Sequence, residues 1–341
     1  MVARTNRPTL RQVAALSGVS VKTASRALNA EPYVSAATAA KVRAAAEQLG
    51  FRRNAIARDL RAGARSTLVG LIIGDLANPF YSRLARGAER RLRSSGLPLI
   101  TASSEEDPQL EQRLIAEMLE RRVSALLVVS SAAEHAYLDA ERRLGLPVVF
   151  LDRAPQDIVA DTIVIDNERG VRQGVDHLVR QGHRRIGLVG DLGRLSTHRE
   201  RVAAFGAALT AAGAGDWQRY VRADSHDVPA AERAVRELLA LTPAPTALIT
   251  TNNRITTGAL RVLRELAAPP ALVGFDDFDL ADLLGVSVIA HDPERMGELG
   301  AELIVTRLAG DDGPARRVLL PTRLVPRGSG ERRPAHLDET V

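Results

Sequence analysis

From Leu68 onward the chain alternates short apolar runs with amphipathic stretches, and this alternation restricts the fold more than any other feature of the sequence. Apolar runs at 68–73, 97–102, 125–129 and 148–151 are separated by helical stretches at about 80–95, 108–121 and 134–144. A second set follows, with strands at 163–165, 186–189, 247–250 and 271–273 and helices at 170–180, 200–212, 230–241 and 254–266. Strand–helix–strand units return in parallel, with helices on both faces of the sheet. Two consecutive sets predict two α/β lobes. A further helix at 293–308 and strands up to Val325 complete the pattern. Residues 327–341, polar and rich in Gly, Ser and Pro, are expected to be a disordered tail.

The first 65 residues obey a different rule. Gly18 to Asn29 reads G-V-S-V-K-T-A-S-R-A-L-N. Gly18 and Val19 suit a turn, and Ser20 can cap a helix by accepting an orphan N–H of its first turn. Ala24, Ala27 and Leu28 recur at helical spacing and form a small apolar back. Val21, Lys22 and Arg26 fall on other faces. Such a helix either belongs to an ordinary small bundle or enters the DNA major groove, where base edges can be read. Thr9 caps a preceding helix over 10–16, with Val13 and Leu16 turned inward. Ser35 caps a third helix to about Leu49, with Ala39, Val42, Ala46 and Leu49 on one face, and Gly50 ends it.

Charge decides between the two readings. Residues 1–65 hold twelve Lys or Arg against three Asp or Glu, a net +9, whereas the rest of the chain is net −4. Both lysines of the protein, Lys22 and Lys41, lie in this segment. A compact basic module on a mildly acidic body is the footprint of nucleic-acid binding. Val21, Lys22 and Arg26, with Thr9, Ser20, Thr23, Ser25 and Asn29 around them, form the expected DNA surface. Val21 suits a thymine methyl and Lys22 a guanine edge.

In open parallel sheets, ligands bind beyond the carboxyl ends of the strands. The polar residues expected there are Asp75 and Asn78, Asp152 and Arg153, Asp166 and Asn167, Asn252 and Asn253, and Asp276 and Asp277. Arg201 falls on the helix after 186–189, and Phe80 and Tyr81 lie close by in sequence. Carboxylates and amides bind hydroxyl pairs, and an aromatic ring covers the apolar face of a sugar. Asn78, Phe80, Tyr81, Asp152, Arg153, Asp166, Arg201, Asn252 and Asp276 are therefore the expected contacts of a small polyhydroxylated effector. Asp277 and Asn167 are read as caps or turn residues. The histidines His183, His198 and His291 show no metal spacing.

The order T-L-R-Q-V-A-A-L-S-G-V-S-x-x-T-A-S-R-A-L-N, then V-S, then L-G-F-x-x-N-x-x-A-R-x-L, resembles the lactose/galactose repressor (LacI/GalR) family of bacterial regulators. The segments N-P-F-Y, L-D-R, D-N, R-E-R-V-A-A-F, T-N-N and G-F-D-D resemble that family's effector-contacting segments. The resemblance implies a helix-turn-helix headpiece at 1–52 and a hinge helix at 53–65. It also implies a two-lobed body at 66–326 with the fold of periplasmic binding proteins. Lobe 1 would comprise about 66–165 and 293–320, and lobe 2 about 166–292 and 321–326. By the same match Leu60 wedges into the minor groove of the operator, with Asn54 and Ala57 beside it. Three residues depart from the family pattern: Arg53 where proline is usual, Asn253 where aspartate is common, and Ala204 where glycine is common.

The expected protein is a sequence-specific transcriptional regulator, a repressor, whose operator affinity is controlled allosterically by a carbohydrate effector. Its partners are a near-palindromic double-stranded operator and a second copy of the chain in a homodimer. No membrane partner, cofactor, metal or catalytic residue is expected, and the protein is placed in the cytoplasm. A sugar-binding protein of the transport type fits the body, but not the +9 headpiece or the polar, leaderless start. A carboxylate-based enzyme would need a nucleophile–base pair, a phosphate loop or a metal cluster, and the sequence displays none. The loop at 190–196, G-D-L-G-R-L-S, has two glycines without a following lysine and is weak evidence for phosphate binding.

Overall fold

The computed structural model describes residues 8–51 and 67–334. The chain divides into two compact units, one ending at Ser66 and the other beginning at Thr67.

The first unit holds three helices, α1 (Leu10–Ser17), α2 (Val21–Leu28) and α3 (Ala36–Gln48). Thr9 and Gln12 form a reciprocal capping box at the start of α1. Gly18 ends α1 at φ 70°, a conformation that favours glycine. Ser20 Oγ accepts the Thr23 N–H at 3.1 Å and starts α2. The core consists of Val13, Ala14, Ala24, Ala27, Val42, Ala45 and Ala46. Leu16, expected inside, is 48% exposed. At about 100° per residue the inward stripe is centred between Val13 and Ala14, and Leu16 lies on the far side of Val13. Ala14 takes the inward place instead.

The second unit contains two six-stranded sheets. The first is built from β1 (Val69–Ile73), β2 (Leu99–Ser103), β3 (Ala125–Val128), β4 (Val148–Leu151), β5 (Asp161–Ile165) and β11 (Arg317–Leu320). The second contains β6 (Ile186–Val189), β7 (Val221–Arg222), β8 (Ala247–Thr250), β9 (Ala271–Phe275), β10 (Ser287–Ala290) and β12 (Arg323–Val325). Their orders are β11-β5-β4-β3-β1-β2 and β12-β10-β9-β8-β6-β7. Neighbours are parallel except β12, which runs antiparallel to β10. The inner strands are buried along their whole length, as helices on both faces require.

Helices α4 (Pro79–Arg93), α5 (Pro108–Glu120) and the short α6 (Asp139–Arg143) accompany the first sheet. Helices α7 (Asn167–Arg180), α8 (Ser196–Ala211), α9 (Val228–Leu239) and α10 (Asn253–Leu263) accompany the second. Helix α11 (Pro293–Leu308) follows β10 but packs on α4 in the first lobe. The chain thus crosses between lobes three times, from β5 to α7, from β10 to α11 and from β11 to β12. All three crossings lie toward the same margin of the sheets, and β2 and β7 form the opposite margin.

Several sequence expectations need correction. The helix expected over 134–144 is a 3₁₀ turn at Ala136–Leu138 followed by α6. Asp157 takes the backbone N–H groups of His135 and Ala136, at 2.7 to 2.8 Å, and so sets where the helical turns begin. Helix α8 starts at Ser196, four residues earlier than expected, which shortens the loop after β6. Strands β7, of two residues, and β10, of four, were not foreseen. The tail is not loose through 327–334. Arg327 makes a two-pronged ion pair with Asp277 at 2.7 Å. Ser329 donates its N–H to Gly285 O at 3.0 Å and its hydroxyl to Leu272 O at 2.6 Å. A polar composition is compatible with order because nearly every polar group here finds a partner on lobe 2.

The α4–α11 contact depends on two glycines. A Cβ at Gly87 would lie 2.0 Å from Glu294 O, and one at Gly297 would lie 2.0 Å from Leu84 O. Gly87→Val should therefore force the helices apart and cost about 3 kcal/mol, seen as a lowered midpoint of thermal unfolding. A midpoint equal to that of the parent protein would show that the helices can separate freely.

Candidate functional site

In the first unit, the turn at Gly18 and the Ser20 cap present the start of α2 to solvent. Val21, 43% exposed, and Lys22 stand clear of the core. Ser25 is half-buried. The hydroxyls of Ser20 and Thr23 meet at 2.9 Å, so Thr9, Ser20 and Thr23 all serve the helix starts. Arg26 Nε lies 3.4 Å from Glu31, and Asn29 Nδ2 donates to the same carboxylate at 3.1 Å. Sequence reading missed Glu31, which holds two of the expected DNA contacts side by side. Asn54, Ala57 and Leu60 lie outside the described residues.

In the second unit, the carboxyl ends of β4, β6, β8 and β9 face one interlobe cleft. Asp152 and Asp276 end β4 and β9 at φ 64° and 69°. Aspartate tolerates this left-handed region better than most residues, and such strain clusters at functional sites. Arg201 comes from α8. Its Nε donates to Asn167 Oδ1 at 2.8 Å, one Nη donates to Thr251 O, and the guanidinium lies 3.8 Å from the centre of the Phe275 ring. It has no carboxylate within ion-pair distance among the described residues. The charges of Arg153, Arg201 and His291 all act on Asp152. Burial pushes the Asp152 carboxyl up, and these cations offset part of that rise. Asp276 Oδ1 and His291 Nε2 are 2.9 Å apart. Asp152, Arg201 and Asp276 thus lie near one another, with the Arg201 guanidinium stacked on the buried Phe275 ring.

Asn252 caps α10 through Oδ1, and its Nδ2 donates to Asp191 Oδ2 at 2.8 Å. Asp191 was not foreseen. Burial opposes its ionisation, but the hydrogen bond and charge of His226 and the charge of Arg153 outweigh this and bring its pKa down to about 2. His226 Nδ1 lies 2.9 Å from Asp191 Oδ1, a contact that raises the histidine above its usual 6.5.

Other expected contacts have different partners. Arg153 turns into lobe 1 and grips Glu106 at 2.6 and 2.9 Å, with Ser130 O at 2.9 Å and Tyr81 Oη at 3.0 Å. Tyr81 donates to Glu106 at 2.9 Å, so its hydroxyl is directed to lobe 1. Burial works against the Glu106 carboxylate, yet Arg153 brings its pKa below the ordinary value. Asn78 Oδ1 accepts the Phe80 N–H and Asn253 Nδ2, each at 2.9 Å. Phe80 packs its ring edgewise against Tyr81 and His291. Asp166 caps α7 by accepting the Arg169 N–H, and it lines a groove of about 560 Å³ with Asn167, Glu200 and Leu319. Glu106 was hidden in the acidic run Glu105–Asp107, which reads as solvated surface. Asp191 and Arg194 sat in the loop at 190–196, where a search for phosphate-binding glycines passes over them.

A helix-turn-helix unit with an exposed cationic helix, joined to two α/β lobes around a polar cleft, defines a ligand-responsive DNA-binding regulator. Residues 9–54 match the family model of bacterial regulatory proteins of the lacI family, and residues 66–268 match that of periplasmic binding proteins and the sugar-binding domain of the LacI family. The chain belongs to the LacI family. It is a transcriptional regulator that binds DNA and carries an effector-binding domain. It is 32% identical to the transcriptional regulator PtxS of Pseudomonas aeruginosa, over 95% of this chain and 96% of that one. It is 30% identical to the ribose operon repressor of Escherichia coli, over 94% and 99%. These relatives are regulators, not enzymes. Among solved structures, the lac repressor dimer bound to operator and the anti-inducer ONPF superposes with a TM-score of 0.80 at 25% identity, covering 96% of this chain and 100% of that one. The complex of the regulator CelR with cellobiose gives 0.70 at 29% identity, covering 95% and 100%. Among the described residues no helix is long and apolar enough to cross a membrane.

The His226–Asp191 contact predicts a pH window. The raised His226 contributes stability fully below pH 6.5 and loses it as pH rises through its higher folded value. The lowered Asp191 contributes above pH 3.8 and loses its part as pH falls toward 2. His226→Asn should therefore lower the unfolding midpoint most between about pH 4 and 6.5, with the gap to the parent closing at alkaline pH. A gap constant across pH would refute the assignment.

Proposed function

We propose that the protein is a homodimeric repressor that leaves or takes its operator in response to a monosaccharide or close derivative. The observation that carries this reading is the set Asp152, Arg201 and Asp276, with Arg201 stacked on Phe275, in a chain that also bears an exposed cationic recognition helix. The two carboxylates and the guanidinium can each bind paired hydroxyls, and the buried Phe275 ring holds the guanidinium in place. Two carboxylates stand against one guanidinium in the set, which favours a neutral polyol over a strongly anionic one. Asn252 and Phe80 complete the proposed contacts. The cleft binds without turnover, as in the regulators the chain resembles.

Val21, Lys22 and Arg26 read the half-site, and Leu60 with Asn54 and Ala57 engages the minor groove. A core of valines and alanines gives one headpiece little grip by itself, so two copies on a near-palindrome supply specificity. The exposed Leu280, Leu283 and Leu284, on one segment between β9 and β10, are proposed as part of the dimer face. The protein works in the bacterial cytoplasm, where its DNA lies.

Selection of bound sequences from random DNA should yield a near-palindrome. Lys22→Ala and Arg26→Ala should each weaken operator binding by about 1–3 kcal/mol and relax preference at one base step. Unchanged preference in both variants would displace α2 as the reading helix. In a calorimetric panel of neutral monosaccharides, Arg201→Ala should abolish binding of any sugar that the parent protein takes, while affinity for the operator without sugar stays intact. Normal sugar binding by this variant would remove Arg201 from the site.

A further inference from the structure

The lobes are joined at the β5, β11, β10 and β12 margin, so a swing between them moves the β2 and β7 margin furthest. On that far side, side chains cross the cleft. Arg194, on the loop between β6 and α8, donates one Nη to Ser131 O at 3.0 Å and the other to Glu106 O. Arg254 pairs with Asp75, and Asn253 Nδ2 donates to Asn78 Oδ1 at 2.9 Å.

The two carbonyls that receive Arg194 are held rigidly. Glu105 and Glu106 adopt left-handed conformations at φ 51° and 57°, which cost energy in residues other than glycine. What holds this turn is the buried Glu106 carboxylate, bound by Arg153, Tyr81 and the Ser131 hydroxyl, the last at 3.1 Å. Ser131 is fixed in turn by Ser104 Oγ at 2.9 Å and by its N–H on the buried Glu111. Arg194 itself is exposed. Its acceptors are neutral, so the contact is weaker than the Arg153–Glu106 ion pair beneath it and can release while that pair stays made.

The geometry points to a lobe–lobe lock in which Arg194 docks on the carbonyls of Glu106 and Ser131, and Arg153 builds the receptor. The inference rests on the reading of the cleft as the effector site, and it changes the roles within it. Arg153, expected to touch the effector, also builds the lock through its two terminal nitrogens, and its Nε, beside Asp152 and without a hydrogen-bond partner among the described residues, stays available to the cleft. Arg194 is a positioning residue that holds the lobes around the cleft without touching what binds there. Asp152, Arg201 and Asp276 remain charged contacts of the ligand.

The full chain has no cysteine, so spin labels can be placed cleanly at Gln109→Cys on α5 and Arg233→Cys on α9, both exposed and on opposite lobes. Pulsed electron resonance on the sugar-free protein then reports the lobe separation. Arg194→Ala should lower the ratio of short to long distances about tenfold, as expected for the loss of a charged hydrogen-bonded contact. Arg194→Glu, which sets a carboxylate against the two carbonyls, should lower it at least as far. Both variants should keep the parent circular dichroism spectrum. A distance distribution unchanged in both would overturn the lock, whether or not the protein binds a sugar. Conversely, a widened distribution in a protein that binds no monosaccharide would sink the effector reading and leave the lock standing.

Discussion

The cost of burying charge organises the body of this protein. Removing a carboxylate or a guanidinium from water is expensive unless the opposite charge or several hydrogen bonds await it. In lobe 1 the solution is complete: Glu106 and Arg153 neutralise each other, and Tyr81 and Ser131 take the remaining capacity of the carboxylate. Across the cleft it is deliberately partial. Arg201 is held by an amide, a carbonyl and an aromatic face, while Asp152 has only a 3.6 Å approach from Arg153. The proposed ligand with hydroxyl groups would supply the partners this set lacks. Saturated charge builds the framework, and saturated and unsaturated charge meet in adjacent residues, Asp152 and Arg153.

That distinction explains how much of the molecule was legible in its sequence. The strands and helices followed from periodicity because the sheets bury whole apolar runs, and their carboxyl ends followed from the parallel topology. Asp152, Arg201 and Asp276 could be picked out as strand-end or helix-start polar residues. Their neighbours could not be sorted by position alone. Arg153 and Tyr81 lie in the same motifs, but a partner 47 residues away in one case and 25 in the other turns them into lobe 1. Glu106 gave no signal because an acid within an acidic run looks like surface until a buried arginine claims it. Leu16 was misplaced for the converse reason: in so small a headpiece, Ala14, two positions earlier, fills the core as well as a leucine could.

The headpiece and the body also divide the energetic labour. The first unit has valines and alanines where larger domains place leucine and phenylalanine, so little apolar area is buried per helix. Its serine and threonine caps and the Gly18 turn fix the direction of α2 by local hydrogen bonds instead. The body buries Phe150, Phe205 and Phe275 with many aliphatic residues and can tolerate strained aspartates at its strand ends. A reader with a small core and a sensor with a large one suit a molecule in which binding at one place must alter another.

The three crossings between lobes also bear on how the chain is made. Lobe 1 lacks α11 and β11 until residues 293–320 have been synthesised, and lobe 2 lacks β12 until Val325. Gly87 and Gly297 must meet across more than 200 residues of intervening chain. Neither lobe can finish folding while its C-terminal strands remain in the ribosome exit tunnel. The first sheet waits with an uncovered face on α4 until α11 and β11 have emerged. The headpiece, built from contacts close in sequence, can order long before the body that will direct it.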